Sequence, residues 1–287
     1  INKIIMKKFI LCLIIICLAV LVLVIYIHLQ KGNQWQTIFF DVGQGDSALI
    51  KFANGEKMLI DCGPDKTVLA KLGKYLPFYD REIDYLLVSH FDLDHYGGCV
   101  DVLRRYQVKN IITNGAGKDY DKYWLTWKEA SEAELADTWQ ITGSRLWSIA
   151  GVDLYFLNPD ASLIFASTKD KMESNNQSIV FKLSYASTTI LFTGDMETPL
   201  ENALLTKYCS STPVKCPALT ATVLKIGHHG SDSSSGVKFL SAVSPSKAII
   251  SVGKNKFGHP SLRVLRKLER IKADILRTDL VGDVILP

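Results

Sequence analysis

The sequence predicts an α/β fold in which two β-sheets pack face to face and helices cover their outer sides, an αββα layering. Short apolar runs bounded by turn residues recur through both halves of the chain, and such runs are typical of buried strands. Amphipathic segments between them suit helices that cover a sheet. The chain has 287 residues, 47% of them hydrophobic and 22% charged, so a well-packed core is possible and wholesale disorder is excluded.

Predicted strands and helices alternate along the chain after a polar linker. Three consecutive strands separated by glycine-containing turns come first, and a helix and a doubly buried strand follow them. The last helix has Leu and Ile at helical spacing, and its opposite, basic face is interpreted as solvated rather than as a nucleic-acid patch. The predicted strands are Thr37–Val42, Ala48–Phe52, Lys57–Ile60, Tyr85–Val88, Ser178–Leu183, Thr189–Phe192, Thr222–Ile226 and Ala248–Val252, and the helices are Val68–Leu76 and Ser261–Lys272.

An uncharged apolar segment, Phe9–Ile27, precedes the folded domain. As a helix it would span about 28 Å, close to the hydrocarbon thickness of a bilayer. The run is longer than the apolar part of a signal peptide, and no small-residue cleavage pattern follows it. An uncleaved membrane anchor is therefore favoured over secretion after cleavage.

The lysines around this segment predict its orientation. Lys3, Lys7 and Lys8 precede the span and only Lys31 follows closely, so the positive-inside rule puts the large domain outside the cell. Beyond residue 35 the chain has 29 basic and 29 acidic residues, which gives no bulk argument for a nucleic-acid-binding surface. The expected organisation is a cytoplasmic N-terminus (1–8), a transmembrane anchor (9–29), a linker (30–36) and a hydrolase domain (37–287).

The cysteines of the domain fall into two pairs with different surroundings. Cys62 and Cys99 have apolar and glycine neighbours, which predicts buried free thiols. Cys209 and Cys216 flank a short loop, and this spacing predicts a disulfide if the domain faces an oxidising compartment. The absence of a Cys-x-x-Cys pair excludes a zinc ribbon or a thioredoxin-like site.

Metal-binding residue types follow four of the predicted strands, and strand ends that share one sheet edge would bring them together. His90, Asp92 and Asp94 alternate, so an extended segment points them the same way, and His95 can turn in from the helix that follows. The remaining candidates are Asp195 after the strand Thr189–Phe192, His228, His229 and Ser231 after Thr222–Ile226, and His259 after Ala248–Val252.

These residue types suit a centre of one or two divalent cations. Imidazoles and carboxylates are the usual ligands, and a carboxylate that bridges two cations lets a shared water become hydroxide at neutral pH. Asp195, last on its strand, is the natural bridge. Asp41, Asp46 and Asp61 are interpreted as turn-forming residues, with Asp61 also able to support the site.

Other kinds of site do not fit the spacing. A calcium loop that starts at Asp92 would have Leu103 rather than Glu at its twelfth position. A serine hydrolase needs a Gly-x-Ser-x-Gly turn, which the sequence lacks. The segment Gly43–Asp46 lacks the lysine and following helix of a phosphate-binding loop.

The motif His90-x-Asp92-x-Asp94-His95, followed by a lone Asp at a strand end, resembles the metallo-β-lactamase superfamily. Further motifs resemble the extracellular domain of the ComEC DNA-internalisation proteins over residues 36–287. The resemblance implies a four-layer αββα metallo-β-lactamase-like sandwich, a DNA-related role in competence and no organic cofactor. These motifs are Phe40–Ser47, Asn175–Ser178, Thr193–Asp195, His228–Ser231 and Gly258–Pro260.

Two departures from the general superfamily pattern change the expected metals. Asp92 stands where the usual second histidine lies, and Asn175-Asn176 stand where the usual third lies. One position thus becomes richer in oxygen and shifts toward Mn²⁺ or Mg²⁺, whereas the other keeps a zinc-type set. The expected metal ligands are His90, Asp92, Asp94, His95, Asp195 and His229. The expected catalytic residues are Asp94, His228, Ser231 and His259. Four residues are open as further ligands or supporting groups: Asn175, Asn176, His259 and Asp61.

The function expected from these features is a membrane-anchored, metal-dependent phosphodiesterase or nuclease that acts on extracellular DNA or a related phosphodiester. One alternative is a hydrolase of cell-surface phosphoesters, such as choline phosphate on teichoic acid, and another is a non-catalytic DNA-uptake or scaffold protein. Hydrolysis of β-lactams is disfavoured by the loss of nitrogen ligands. Six aromatic residues could form a base- or choline-stacking wall, although core packing is favoured for the two at helical spacing, Trp124 and Trp127; the others are Tyr120, Tyr123, Trp139 and Trp147.

Overall fold

The computed structural model describes residues 2–32, 35–117, 122–164, 174–211 and 214–287. The strands are β1 Gln36–Phe39, β2 Ala48–Lys51, β3 Lys57–Ile60, β4 Glu82–Leu87, β5 Gln107–Thr113, β6 Asp137–Gln140, β7 Arg145–Ile149, β8 Val152–Asn158, β9 Val180–Tyr185, β10 Thr188–Phe192, β11 Ser210–Ser211, β12 Val214–Lys215, β13 Val223–Lys225, β14 Lys247–Ile250, β15 Asp274–Arg277 and β16 Val284–Leu286. The helices are α1 Asn2–Gly32, α2 Thr67–Tyr75, α3 Leu93–Tyr96, α4 Cys99–Leu103, α5 Lys122–Ala133, α6 Ala161–Ile164, α7 Thr198–Tyr208, α8 Val237–Val243, α9 Leu262–Arg270 and α10 Thr278–Val281, with 3₁₀ turns at Ser174–Gln177 and Gly227–Gly230.

Helix α1 contains a long apolar stretch between lysine-bearing ends. Residues Ile5–Val24 are long and hydrophobic enough to cross a membrane, and their side chains are exposed rather than packed against the domain. Length and composition therefore fit a membrane anchor or a signal segment.

Two seven-stranded sheets form the body of the domain. The first has the order β16-β1-β2-β3-β4-β5-β6, antiparallel from β16 to β3 and parallel from β3 to β6. The second has the order β15-β14-β13-β10-β9-β8-β7, with β10, β13, β14 and β15 parallel to one another. In both sheets the parallel strands bring their carboxyl ends to one edge.

Three apolar layers hold the sheets and helices together. Along β1, Phe39 points between the two sheets and stacks on Phe192 of β10 at a centroid distance of 5.5 Å, whereas Ile38 points to the helices on the other face. Helices α2, α4 and α5 cover the first sheet, and α7, α8 and α9 cover the second. The predicted αββα layering is confirmed.

The structure corrects one of the two cysteine predictions. Cys209 and Cys216 form the predicted disulfide, with their Cα atoms 4.4 Å apart. Cys62 and Cys99 were expected to be free thiols, but they form a second disulfide with a Cα–Cα distance of 5.1 Å. Their apolar neighbours correctly indicate burial, but the sequence does not reveal that the end of β3 meets the start of α4. The free cysteines of the described residues, Cys12 and Cys17, lie in α1.

The buried Asp283 carboxylate fixes the last strand to the start of the domain. It accepts hydrogen bonds from the Lys71 and Lys74 ammonium groups at 2.7 and 2.8 Å, the Tyr75 hydroxyl at 2.9 Å and the Asp41 amide at 2.9 Å. Burial by itself raises the pKa of Asp283, but these donors bring it well below its ordinary value. The charged form is thus strongly favoured in the folded protein.

Replacing Asp283 by Asn should lower the free energy of unfolding at pH 7 by about 1–3 kcal/mol, because two lysines lose a charged acceptor. The folded-state pKa lies below the unfolded-state value, so this contribution is present above about pH 4 and is lost as the pH falls further. Urea unfolding of the full chain in detergent at several pH values measures both effects. The exposed Asp274→Asn should change little, and a difference between Asp283→Asn and wild type that does not depend on pH would contradict the assignment.

Candidate metal centre

The predicted site residues lie at the carboxyl ends of strands from both sheets. The segment after β4 carries the His-x-Asp-x-Asp-His motif, and the turns after β10, β13 and β14 carry the residues from the second sheet. The sheets therefore meet at one edge where four chain segments contribute polar side chains. This is the edge at which an open α/β sheet usually binds its ligand.

Four side chains converge most closely at this edge: Asp94, His95, Asp195 and His229. One ligand atom from each lies within 4.8 Å of all the others. The His95 Nε2 atom is 3.2 Å from Asp195 Oδ1, and the His229 Nε2 atom is 3.1 Å from Asp94 Oδ2 and 3.5 Å from Asp195 Oδ2. Two imidazoles and two carboxylates form a ligand set that suits zinc, as the sequence predicts for one of the two metal positions.

The buried polar atoms of this group fit a divalent cation. His95 Nε2 and Asp195 Oδ1 are buried 3.2 Å apart, and among the described residues neither atom forms a hydrogen bond of good geometry, an arrangement that costs free energy unless another group satisfies them. Burial lowers the pKa of His229, but Asp195 and the hydrogen bonds to Asp46 and Asp94 raise it overall to about 10. The raised pKa reflects the negative potential of the surrounding carboxylates, and a divalent cation bound in place of the histidine protons would neutralise the same carboxylates.

His95 is held in place by the end of the neighbouring strand. Its Nδ1 atom lies 2.8 Å from Asp61 Oδ2, and Asp61 also accepts hydrogen bonds from the amide and hydroxyl of Ser89, both at 2.7 Å. A hydrogen bond of this kind fixes the tautomer that leaves Nε2 available to a metal. Asp61 therefore supports the site, as the sequence suggests, rather than forming a turn only.

His229 is oriented by a buried ion pair that sequence reasoning missed. Its Nδ1 atom lies 2.9 Å from the Ser251 carbonyl oxygen and 3.3 Å from Asp46 Oδ1, and Asp46 Oδ2 lies 2.7 Å from the buried Lys225 Nζ. Asp46 follows the turn at Gly43–Gly45, as its interpretation as a turn-forming residue implies, and it also contacts both His229 and Lys225. A lysine inside the apolar strand β13 is the signal that could have revealed the pair, since an unpaired charge is not buried.

The turn that carries Asp46 packs directly on the metal-binding motif. The Asp46 amide donates to the Asp94 carbonyl oxygen at 3.1 Å, and a Cβ on Gly45 would lie 2.3 Å from that oxygen. Only glycine fits this approach. The close contact with Asp94 therefore explains why the Gly-Gln-Gly-Asp segment, which carries part of the family resemblance, has glycine at position 45.

His90 and Asp92 form a second group beside the first. The His90 Nε2 atom lies 3.5 Å from Asp92 Oδ2, and the His90 and His95 rings are 4.1 Å apart. His90 Nε2 is also buried without a hydrogen-bond partner in the part of the chain that the structure describes. Asn175 and Asn176 instead contact Glu197: the Asn175 amide donates to its carboxylate at 3.4 Å, and the Asn176 side-chain oxygen accepts its backbone N–H at 3.1 Å.

His228 faces the first group from the other side and pairs with Glu197, which sequence reasoning also missed. The His228 Nδ1 atom lies 2.9 Å from Glu197 Oε1, and its Nε2 atom lies 3.9 Å from Asp195 Oδ2. The hydrogen bond from His228 is the main reason that the pKa of Glu197 falls to about 2. Burial lowers the pKa of His228, but Glu197 and Asp195 raise it overall. The His259 ring lies 5.4 Å from the His228 ring.

The backbone explains how two consecutive histidines reach one site. His228 and His229 have φ values of 47° and 52°, a left-handed conformation that is rare and costly for residues other than glycine. Ser231 is buried and its hydroxyl lies 2.9 Å from that of Ser233, which in turn donates to Glu197 at 2.7 Å. Ser231 thus belongs to the network behind His228.

The predicted aromatic wall is not one surface. Trp127 is buried among Phe91 and Tyr96, and Trp124 packs edge-to-face on Phe91, so the core interpretation is correct for both. Trp139 and Trp147 contact each other at 5.9 Å on the edge strands β6 and β7. Tyr120 lies outside the described residues.

Curated relatives resemble the chain over most of its length. ComE operon protein 3 of Bacillus subtilis is 28% identical over 279 residues, 91% of this chain and 34% of that protein. Competence protein ComA of Neisseria gonorrhoeae is 32% identical over 255 residues, 87% of this chain and 32% of that protein. The chain thus spans about a third of the length of these relatives.

Solved structures share the fold at low identity. The metallo-beta-lactamase fold protein YhfI from Bacillus subtilis is 11% identical with a TM-score of 0.57, covering 88% of this chain and 99% of that chain. Zn²⁺-bound PqqB from Methylobacterium extorquens is 9% identical with a TM-score of 0.55, covering 88% and 99%. The fold and the His/Asp cluster both fit a divalent metal site.

A family model matches the part of the chain that carries the site. The model described as the metallo-beta-lactamase superfamily matches residues 40–254, which include every residue of the first ligand group. The chain belongs to the metallo-beta-lactamase superfamily, and its metal-dependent hydrolase fold follows from that membership.

Proposed function

We propose that this protein is a membrane-anchored, metal-dependent phosphodiesterase that acts on extracellular DNA or a related phosphodiester. The observation that carries the proposal is the position of the His228–Glu197 pair beside the four-residue ligand group. The matched relative named competence protein ComA supports a DNA-related substrate.

The ligand residues would hold one or two divalent cations, Zn²⁺ or Mn²⁺. Asp94, His95, Asp195 and His229 suit the first position, and His90 with Asp92 suits a second, more oxygen-rich one. When bound, such ions supply Lewis acidity, lower the pKa of a water molecule and neutralise charge on phosphoryl oxygens.

Side chains outside the ligand group would donate a proton to the leaving oxygen and hydrogen-bond the substrate oxygens. Glu197 accepts from His228 Nδ1 and so directs Nε2 toward the ligand group, where it can hydrogen-bond a phosphoryl oxygen or protonate a leaving oxygen. His259, one ring contact farther out, is positioned to hydrogen-bond the substrate at the rim.

Two features support an extracellular orientation of the domain. Disulfides persist in oxidising compartments, and both cysteine pairs of the domain are bonded. The lysine excess lies before the apolar helix. Protease added to intact cells should therefore digest the domain while a cytoplasmic marker survives; protection until lysis would refute the orientation.

A substrate panel tests the reaction. The full chain in detergent, with Mn²⁺ or Zn²⁺, is offered single-stranded DNA, duplex DNA, RNA, bis(p-nitrophenyl) phosphate, a choline-phosphate ester and a chromogenic β-lactam. We expect hydrolysis of the phosphodiesters and its loss in His95→Ala but not in the distant Asp274→Asn. Hydrolysis of the choline ester or β-lactam alone, or equal rates for wild type and His95→Ala, would overturn the proposal.

Glu197→Ala should lower turnover of a phosphodiester about 10–100-fold, because His228 loses the acceptor that fixes its tautomer and ring orientation. Bound metal should stay near the wild-type amount, since Glu197 is outside the ligand group. Kinetics with metal analysis on the same samples checks both statements, and Glu197→Gln, which keeps an acceptor oxygen, should restore part of the rate. A loss of metal in step with the rate would contradict the role.

A further inference from the structure

We infer that the loop after β14, residues 253–259, is a nucleobase-stacking and phosphate-binding platform that makes the centre select single-stranded nucleic acid over small phosphodiesters. Its key residue is Phe257, with Lys254 and Lys256 as phosphate contacts. The inference rests on the proposed function and names the part of the chain that would recognise a polymer.

The position of Phe257 places it at the rim of the metal centre. Its ring lies 5.7 Å from the His259 ring at an angle of 31°, and His259 in turn lies 5.4 Å from His228. Phe257 is therefore two ring contacts from the histidine that faces Asp195. A strand with a base stacked on Phe257 could therefore continue past His259 and His228 to place a phosphate at the ligand group.

The Phe257 ring is available to a ligand. Its side chain is 64% exposed, although exposing a phenyl group to water is unfavourable in free energy. Single exposed apolar residues are common, and Phe78, which is 83% exposed before β4 at the opposite sheet edge, is one of them. What distinguishes Phe257 is its place beside the site and the cations that flank it.

The loop that presents Phe257 is held in one conformation by a single side chain. The Asn255 amide nitrogen donates to the carbonyl oxygens of Gly253 and His259 at 2.9 and 2.8 Å. The Asn255 oxygen accepts the backbone N–H groups of Phe257 and His259 at 3.0 and 3.1 Å. Four hydrogen bonds from one residue preorganise the exposed ring, and a preorganised ring loses little entropy when it binds.

Charge in the loop matches a phosphate chain. Lys254 and Lys256 are exposed on either side of Asn255, and the Lys256 ammonium lies 5.8 Å from the Phe257 ring centroid. Positive side chains interleaved with an aromatic platform are the elements by which proteins bind single strands without reading sequence. Because the domain is neutral as a whole, any electrostatic attraction for a nucleic acid comes from this local arrangement of lysines.

The test compares base-bearing and base-free strands. Fluorescence anisotropy measures binding of the full chain in detergent to labelled oligothymidylate and to an abasic strand of equal length, in EDTA so that neither is cleaved. Phe257→Ala should weaken oligothymidylate binding about tenfold and leave abasic-strand binding unchanged, and Phe257→Tyr should restore it. Phe78→Ala is the matched control and should change neither. An equal loss on both strands, no loss, or no binding by wild type overturns the inference.

The lysines are tested through salt dependence. Lys254→Ala and Lys256→Ala should each reduce the slope of log Kd against log salt by about 0.7, whereas Lys247→Ala, at the start of β14, should not. Phe257→Ala should hydrolyse bis(p-nitrophenyl) phosphate at the wild-type rate. If the wild-type protein does not hydrolyse it at all, the proposed reaction is refuted. The binding experiment still shows whether residues 253–259 bind nucleic acid.

Discussion

Replacing Asp195 by Asn should remove most of the bound divalent metal and lower phosphodiester hydrolysis by more than about 100-fold, beyond the 10–100-fold typical of groups that only support a ligand. The Asp195 carboxylate is buried, and its oxygens lie 3.2 Å from His95 Nε2 and 3.5 Å from His229 Nε2. Asn keeps the shape but loses the charge and one of the two anionic oxygens. Both halves of the ligand group are therefore affected at once.

Metal analysis of the full chain, purified in detergent and dialysed against trace metal, measures the first effect. The Asp274→Asn control changes an exposed carboxylate at the opposite edge of the second sheet and should bind as much metal as wild type. Thermal unfolding followed by circular dichroism separates metal loss from unfolding. A folded Asp195→Asn protein with wild-type metal content would remove Asp195 from the ligand set.

Replacing Lys225 by Met should lower the free energy of unfolding by about 3–5 kcal/mol, the usual cost of removing one partner of a buried ion pair. Lys225 and Asp46 are both buried, so Asp46 would keep its charge without the ammonium group that lies 2.7 Å from it. Asp46 would then no longer be held in position 3.3 Å from the His229 ring, which it orients.

The double variant Asp46→Asn with Lys225→Met provides the decisive comparison. Without either charge the desolvation penalty disappears, and stability should recover in large part. Metal affinity should not recover, since His229 Nδ1 still lacks the carboxylate that orients it. Urea unfolding together with metal titration separates the two effects; equal stability of the single and double variants would contradict the ion-pair account.

The sequence predicts the fold where burial makes a clear pattern. The strand Lys57–Ile60 is predicted with its bounds, because its apolar run sits between turn residues on both sides. The edge strands β6 and β7 are not predicted, because their exposed positions carry mixed polar and aromatic residues without alternation. Helices α5, α7 and α8 are not predicted either.

The site was predictable where its residues are close in sequence or follow a buried strand. The structure brings Asp94, His95, Asp195 and His229 together as the strand-end argument predicts. Glu197 and Asp46 were missed, because their roles come from partners that only the fold brings near. The Glu197–His228 contact spans 31 positions, and the Cys62–Cys99 disulfide spans 37. Neither pairing leaves a periodic pattern in the chain.

The pairing of β16 with β1 sets the order in which the domain can be completed during synthesis. Strand β1 is the first of the domain to be made, yet its outer edge pairs with Val284–Leu286, the last strand. Until synthesis of those residues is finished, β1 presents unpaired backbone groups, and the Lys71 and Lys74 ammonium groups lack Asp283. The first sheet is therefore completed only after every strand of the second sheet has been synthesised, and its β1 edge stays open until then.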